Sequence, residues 1–152
     1  MALNYPAIIK ILGFVTTLIG GAMIPSALVS VLYEEYTTAL KFALIILPVM
    51  AVGIFMSIQM KVRVSRLKLR EGFCVVAFSW LLASLLGCLP YLATGTVDGF
   101  VNALFEATSG FTTTGASIVT DVEVLPKGVL FWRSFCQWLG GMGILIFAIS
   151  IL

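Results

Sequence analysis

Four long charge-free hydrophobic runs, separated by segments that carry charged residues, set the pattern of this chain. The runs cover residues 11–33, 42–60, 72–97 and 134–152. A helix needs about 20 apolar residues to cross the hydrocarbon core of a bilayer, so each run predicts one spanning helix. The predicted spans, with their ends adjusted by a few residues, are about 8–33, 39–60, 72–94 and 129–152.

The pattern changes between the third and fourth predicted spans. Residues 99–108 predict a separate short helix, because Asp98 stands at a suitable N-cap position and apolar residues follow at helical spacing. Ten residues make a helix of roughly 15 Å, which is half the thickness of the hydrocarbon core. Such a helix can enter a bilayer but cannot cross it. We therefore expect a re-entrant pore helix, followed by irregular backbone that returns to the same side.

The segment 109–117, which follows this short helix, carries the most informative chemistry. Irregular backbone at membrane depth is tolerated only where it is buried in protein or lines a watery cavity. Closely spaced carbonyl and hydroxyl oxygens can replace the water shell of an ion, and glycine permits unusual backbone angles. The pattern predicts a cation selectivity filter formed by Thr112, Thr113, Thr114 and Gly115, supported by Glu106, Gly110 and Ser117. The alternative is an ordinary external loop on the membrane surface.

Glu106 stands beside the carboxyl end of the predicted pore helix, and two roles are open for it. It could enrich cations near the filter, or it could accept hydrogen bonds from filter amides and brace the loop. We favour bracing, because a carboxylate beside buried donors is the more stable arrangement.

The start of the last span has two interpretations as well. Its glycines, Gly140, Gly141 and Gly143, indicate either close helix packing or an approach of this helix to the filter support. We favour packing. On that interpretation Trp132 and Trp138 are interfacial tryptophans and Arg133 is a snorkelling arginine.

Composition and charge strengthen the membrane assignment and orient the spans. The chain is 61% hydrophobic with a mean hydropathy of +1.13, which excludes an ordinary soluble domain. The segment 61–71 carries five basic residues, Lys61, Arg63, Arg66, Lys68 and Arg70. The positive-inside rule predicts that this linker, and therefore both ends of the chain, are cytoplasmic. A docking surface for anionic lipid or a cytosolic partner is the alternative role.

Catalytic and cofactor chemistry finds little support in the residue types. The chain has no histidine, and its three cysteines, Cys74, Cys88 and Cys136, show no metal-ligand spacing. We expect buried free thiols, no enzymatic activity, no cofactor apart from a transported cation, and no nucleic-acid partner.

Two segments resemble a known family. Residues 105–117, FEATSGFTTTGAS, and 131–143, FWRSFCQWLGGMG, resemble the first pore loop and following helix of the TrkH branch of the Trk/Ktr/HKT potassium transporters. The resemblance implies an all-α integral membrane fold. In that fold an N-terminal two-helix hairpin (1–60) precedes a helix, pore-loop, helix unit (72–152) like that of potassium channels. It also implies potassium uptake across a bacterial plasma (inner) membrane, with Gly115 as the filter glycine.

The resemblance carries expectations about partners. It implies a cytosolic nucleotide-binding regulatory ring and a homodimer of the full-length protein. Family members have four pore-loop units in one polypeptide, whereas one is visible here, so we expect the N-terminal part of a longer protein that does not conduct alone. The alternatives are a small cation channel of four identical copies and a non-conducting membrane scaffold or assembly subunit. An aquaporin-like channel fits poorly, since its re-entrant helices come in opposed pairs.

Overall fold

The chain folds as a bundle of α-helices. The computed structural model describes the backbone of residues 4–60 and 69–151 and the side chains of residues 4–60 and 70–145. The helices are α1 (Tyr5–Ala22), α2 (Ile24–Leu32), α3 (Tyr36–Gln59), α4 (Leu69–Gly87), α5 (Leu89–Thr94), α6 (Phe100–Phe111) and α7 (Lys127–Ile151). These ranges contain no β-strand, so the all-α prediction is confirmed. Of the five basic linker residues, Arg70 is exposed on α4, and Lys61, Arg63, Arg66 and Lys68 lie outside the described residues.

Among the described residues, three stretches are long and apolar enough to cross a membrane: Tyr5–Leu32, Tyr36–Gln59 and Arg70–Thr94. They correspond to the first three predicted spans. The fourth prediction falls on α7, whose side chains beyond residue 145 are outside the described set, so this span stays a prediction.

Prolines explain why two of these stretches consist of two helices each. Pro25 lies in the first turn of α2 and Pro90 in the first turn of α5. Proline lacks a backbone N–H and its ring clashes with the preceding turn, so it suits the start of a helix better than its interior. The helix therefore breaks just before each of these prolines. Pro48, by contrast, lies inside α3 without ending it.

The N-terminal hairpin packs through close backbone contact between α1 and α3. A Cβ atom added at Gly13 would lie 2.8 Å from the Cβ of Met56, and one added at Gly53 would lie 2.6 Å from the backbone nitrogen of Thr17. Small residues at such positions allow membrane helices to approach each other closely. Gly13 and Gly53 therefore fix the distance between the two long helices.

In the second unit, α6 packs against both α4 and α7. Phe111, at the end of α6, is buried edge-on against Trp132 of α7, with ring centroids 6.3 Å apart. The Trp132 indole donates a hydrogen bond of 3.0 Å to the carbonyl of Gly87, where the break before Pro90 ends α4. Trp132 is fully buried, so its interpretation as an interfacial tryptophan is wrong, whereas Trp138 is exposed.

The short helix α6 differs from its predicted bounds at both ends. Its N-cap is Gly99, at φ 83°, and no side chain caps the helix, so the prediction of Asp98 as N-cap is wrong. Gly99 makes the turn into the helix because a residue without Cβ adopts this positive φ readily. At the other end the helix continues to Phe111, three residues beyond the predicted end. Ser109 and Gly110, predicted in the filter loop, are therefore helical.

Candidate functional site

The carboxyl end of α6 is a tight turn that places a threonine in a strained conformation. The amide of Thr113 donates to the Gly110 carbonyl and the amide of Thr114 to the Ser109 carbonyl, each at 3.0 Å. This pair of bonds is the Schellman motif, whose left-handed position is usually glycine. Thr113 occupies that position at φ 58°. A left-handed conformation costs an L-residue about 1–2 kcal/mol, so strain is concentrated at a predicted filter residue.

The four predicted filter residues form an exposed rim just beyond α6. Each of Thr112, Thr113, Thr114 and Gly115 is exposed in this chain. The Thr112 hydroxyl donates to the carbonyl of Thr108 at 2.7 Å and lies 2.8 Å from the hydroxyl of Thr114. Gly115 has φ 75°, a backbone angle that glycine adopts without strain. The rim thus presents the hydroxyl oxygens of three threonines, and its backbone has a positive φ at Thr113 and again at Gly115.

Glu106 is the centre of the polar contacts behind this rim. Its carboxylate accepts hydrogen bonds from the Ser117 hydroxyl at 3.0 Å, the Ile118 amide at 3.2 Å and the Arg133 Nε at 2.5 Å. The residue is only 2% exposed, and the guanidinium balances its charge. One side chain therefore links α6, the segment after the predicted filter, and α7. These contacts favour the bracing interpretation over the cation-enriching one.

Further contacts close the space behind the rim. The Ser109 hydroxyl donates to the carbonyl of Ala116 at 2.5 Å. A cavity of about 10 Å³ remains among polar groups, which is roughly the space of one water molecule. Its lining includes Glu106, Ser109, Gly110, Gly115, Arg133 and Gln137. The structure thus brings together Glu106, Gly110 and Gly115 from the predicted set, with Ser117 bonded to Glu106. Asp98 lies at the opposite end of α6.

The helix α7 supplies two residues whose roles the sequence interpretation missed. Arg133 was interpreted as a snorkelling arginine, but its side chain is paired with Glu106. Gly140 lies directly against the end of α6, because an added Cβ would overlap the Phe111 carbonyl. Gly141 has more space, since its added Cβ would lie 3.8 Å from the Thr113 methyl group. At Gly140 the two interpretations coincide, because the close packing of α7 against α6 is also what brings α7 near the predicted filter support. The sequence contains one signal for this ion pair: Glu106 and Arg133 each stand alone among uncharged residues, and a buried charge needs a partner of opposite sign.

The cysteines agree with the expectation of free thiols. Cys88 and Cys136 are buried, and Cys74 is partly buried; all three are free. Within residues 4–60 and 70–145, no group of three or more acidic, histidine or cysteine side chains could hold a metal ion.

Comparison with known proteins identifies the family. A family model described as TrkH, cation transport protein, matches residues 38–152. The chain belongs to the TrkH family of cation transport proteins. That family is one of transporters and not of enzymes, and its fold is a membrane fold.

Individual relatives extend the match over nearly the whole chain. An uncharacterized cation transporter of Methanocaldococcus jannaschii is 37% identical over 95% of this chain and 30% of its own length. The Trk system potassium uptake protein TrkH of Escherichia coli is 33% identical over 99% of this chain and 31% of its own length. The crystal structure of the potassium transporter TrkH from Vibrio parahaemolyticus superposes with a TM-score of 0.92 at 34% identity. That match covers 99% of this chain and 32% of the transporter. The chain thus spans about a third of the length of these relatives.

Proposed function

We propose that this chain supplies one pore-loop unit of a potassium transport protein in the plasma membrane. In this proposal Thr112, Thr113, Thr114 and Gly115 coordinate dehydrated potassium as one quarter of a selectivity filter. The observation that carries the proposal is the bracing of the segment beyond α6 by the buried Glu106, which bonds Ser117, Ile118 and Arg133 at once.

The length of α6 supports a re-entrant path. The helix has 12 residues, so it is about 18 Å long, against a hydrocarbon core of about 30 Å. It follows a stretch that can span a membrane, Arg70–Thr94, and it precedes the 25-residue helix α7. A helix of this length between two longer ones fits entry into the bilayer from one side and return to that side through residues 112–126.

The electrostatics of the site suit a cation without its water shell. The aligned peptide dipoles of a helix give its carboxyl end a partial negative charge. In our proposal the end of α6 faces the ion path, and the turns at Thr113 and Gly115 direct successive carbonyls toward it. The charge of Glu106 is balanced by Arg133, so the carbonyl and hydroxyl oxygens, and not a free carboxylate, bind the ion.

One unit provides only part of an ion path, and the proposal therefore includes partners. The length of the relatives favours further pore-loop units in a longer polypeptide over four copies of this chain. We further propose cytoplasmic ends for this segment, a dimer of the complete protein, and a cytosolic nucleotide-binding ring as regulator. These follow from the family resemblance and the basic linker.

The filter assignment is tested by Gly115→Ser in the complete protein. We expect the preference for potassium over sodium in flux measurements to fall, with insertion into the membrane unchanged, because a side chain at φ 75° distorts the carbonyls that bind the ion. Gly95→Ser is the matched control, since Gly95 has φ 71° and open space around its Cβ position. Unchanged selectivity in Gly115→Ser, or an equal loss in Gly95→Ser, would contradict the assignment.

A further inference from the structure

A glutamate of the N-terminal hairpin is bonded to the first turn of α7. The Glu35 carboxylate accepts hydrogen bonds from the backbone amides of Lys127 at 2.7 Å and Gly128 at 3.3 Å. The first amides of a helix have no partner within the helix, and a negative charge is favourable there. Glu35 thus caps α7 from a position 92 residues away in the sequence.

The backbone around Glu35 holds its side chain in place. The helix α2 ends in a Schellman turn in which the Glu34 amide donates to the Val31 carbonyl at 3.0 Å and the Glu35 amide to the Ser30 carbonyl at 2.8 Å. Glu34 takes the left-handed position at φ 61° although it is not glycine. The turn between α2 and α3 is therefore defined by two backbone bonds, and Glu35 projects from a fixed point.

Steric contact next to this cap restricts α7 further. A Cβ added at Gly128 would overlap the hydroxyl of Ser30 and lie 2.9 Å from the carbonyl of Ser26. The start of α7 is thus in backbone contact with α2 and is bonded to Glu35 in the same turn. A shift of α7 by one residue along its axis would move it 1.5 Å and rotate it by about 100°. Both contacts would then be lost.

The same helix carries the groups that reach the predicted filter support. Arg133 lies less than two turns beyond Gly128 and bonds to Glu106, which holds Ser117 and Ile118. Because a helix is stiff over two turns, the axial position of its first turn determines where Arg133 lies. Glu35 is therefore connected to the Ile118 amide through one helix and one carboxylate.

We infer that Glu35 is a positioning residue that sets the register of α7 against α2 and, through Arg133 on α7, holds the braced segment after Gly115 in place. Glu35 precedes the residues matched by the family model, which begin at 38. The N-terminal helices α1 and α2 then act as a fixed support for the pore-loop unit. An effect of Glu35 on ion selectivity rests on the function proposed above. Its effect on the axial position of α7 does not.

Hydrogen exchange on the full chain in detergent micelles tests the register. In Glu35→Gln and Glu35→Ala we expect the amides of Lys127 and Gly128 to exchange about 2- to 30-fold faster, the range for loss of a helix cap. We also expect faster exchange at the Ile118 amide, which a merely local cap would not affect. Glu34→Gln is the matched control: it is the exposed neighbour and has no hydrogen bond to α7 among the described residues. We expect it to leave all three amides unchanged.

Two results would overturn the inference. The first is faster exchange at Lys127 and Gly128 with no change at Ile118. The second is no change at any of the three amides in either variant. A thermal unfolding curve for each variant identifies general loss of structure, which would also accelerate exchange in α1 and α3.

In the complete protein we expect Glu35→Gln to lower potassium selectivity as well. Changed exchange with unchanged selectivity would contradict the consequence for ion selectivity and would leave the inferred role of Glu35 in the register standing, whereas the filter assignment itself is tested by Gly115→Ser.

Discussion

The hairpin of α1, α2 and α3 and the unit of α4 to α7 differ in the hydrogen bonds that polar side chains form inside each region. In the hairpin, the described hydroxyls that bond do so to carbonyls of their own helix: Thr16 to Leu12, Thr17 to Gly13, Ser30 to Ser26 and Ser57 to Gly53. The second unit has bonds of that kind too, such as Thr108 to Leu104, but other polar bonds connect its different elements: Trp132 to Gly87, Arg133 to Glu106, and Ser117 to Glu106.

The difference follows from the backbone that each region has to stabilise. A polar group in apolar surroundings costs free energy unless it is hydrogen-bonded, and a helix offers serine and threonine a carbonyl four residues earlier. The hairpin is helical almost throughout, and its two long helices meet through close backbone contacts at Gly13 and Gly53. Residues 112–126 have no such regular partners, and their amides and side chains need groups from α6 and α7. Polar side chains therefore bond locally within the hairpin, whereas within the second unit they bond both locally and between elements.

Glu106→Gln should give the largest difference between the regions. We expect it to destabilise the protein by about 3 kcal/mol, because it leaves the mostly buried guanidinium of Arg133 without its charge partner. The measurement is the unfolding midpoint of the full chain in detergent. Ser57→Ala is the hairpin counterpart, and we expect a change of at most about 0.5 kcal/mol. Equal losses in the two variants would remove the distinction between local and cross-linking polar groups.

Substitutions at Gly140 and Gly53 distinguish an effect on helix packing from an effect on the geometry of the predicted filter. Gly140→Ala and Gly53→Ala each insert a methyl group against backbone of another helix, so we expect each to destabilise by about 1–3 kcal/mol. Only Gly140→Ala displaces the Phe111 carbonyl at the end of α6, so only this variant should also change potassium selectivity in flux measurements. Gly21→Ala, with no described atom within 4 Å of its added Cβ, is the control for both. A selectivity change in Gly53→Ala would show that the hairpin and the site are not separable in this way.

Thr113 and Glu34, the non-glycine residues with positive φ in the described backbone, provide the test with the smallest expected effect. Thr113→Gly and Glu34→Gly should each stabilise the protein by about 1 kcal/mol, because glycine relieves the left-handed strain. We expect Thr113→Gly alone to reduce potassium selectivity, since it removes a hydroxyl from the exposed rim and loosens its backbone. Paired unfolding and flux measurements check this. A stabilising Thr113→Gly with full selectivity would mean that the strain at the rim has no role in ion binding.

Some elements were predictable because their signals are local. The lengths of the apolar runs predicted the three described stretches that can span a membrane. The end of α6 was predicted three residues too early, because Ser109 and Gly110 resemble loop residues by composition. Burial of Phe111 against Trp132 keeps that turn helical, and this contact crosses between elements far apart in the sequence.

The sequence by itself determined that this is a helical membrane protein of the TrkH family, with a threonine- and glycine-containing segment after a half-length helix. Hydrophobic length, proline position and a contiguous motif all act over a few turns of chain, so they can be recognised without the fold. Only the tertiary structure decided that Arg133 pairs with Glu106, that Gly140 admits the end of α6, and that Glu35 caps α7. Each of these contacts joins residues that are far apart in the sequence. The free energy of a buried charge or of a close contact depends on the groups that surround it in the folded chain.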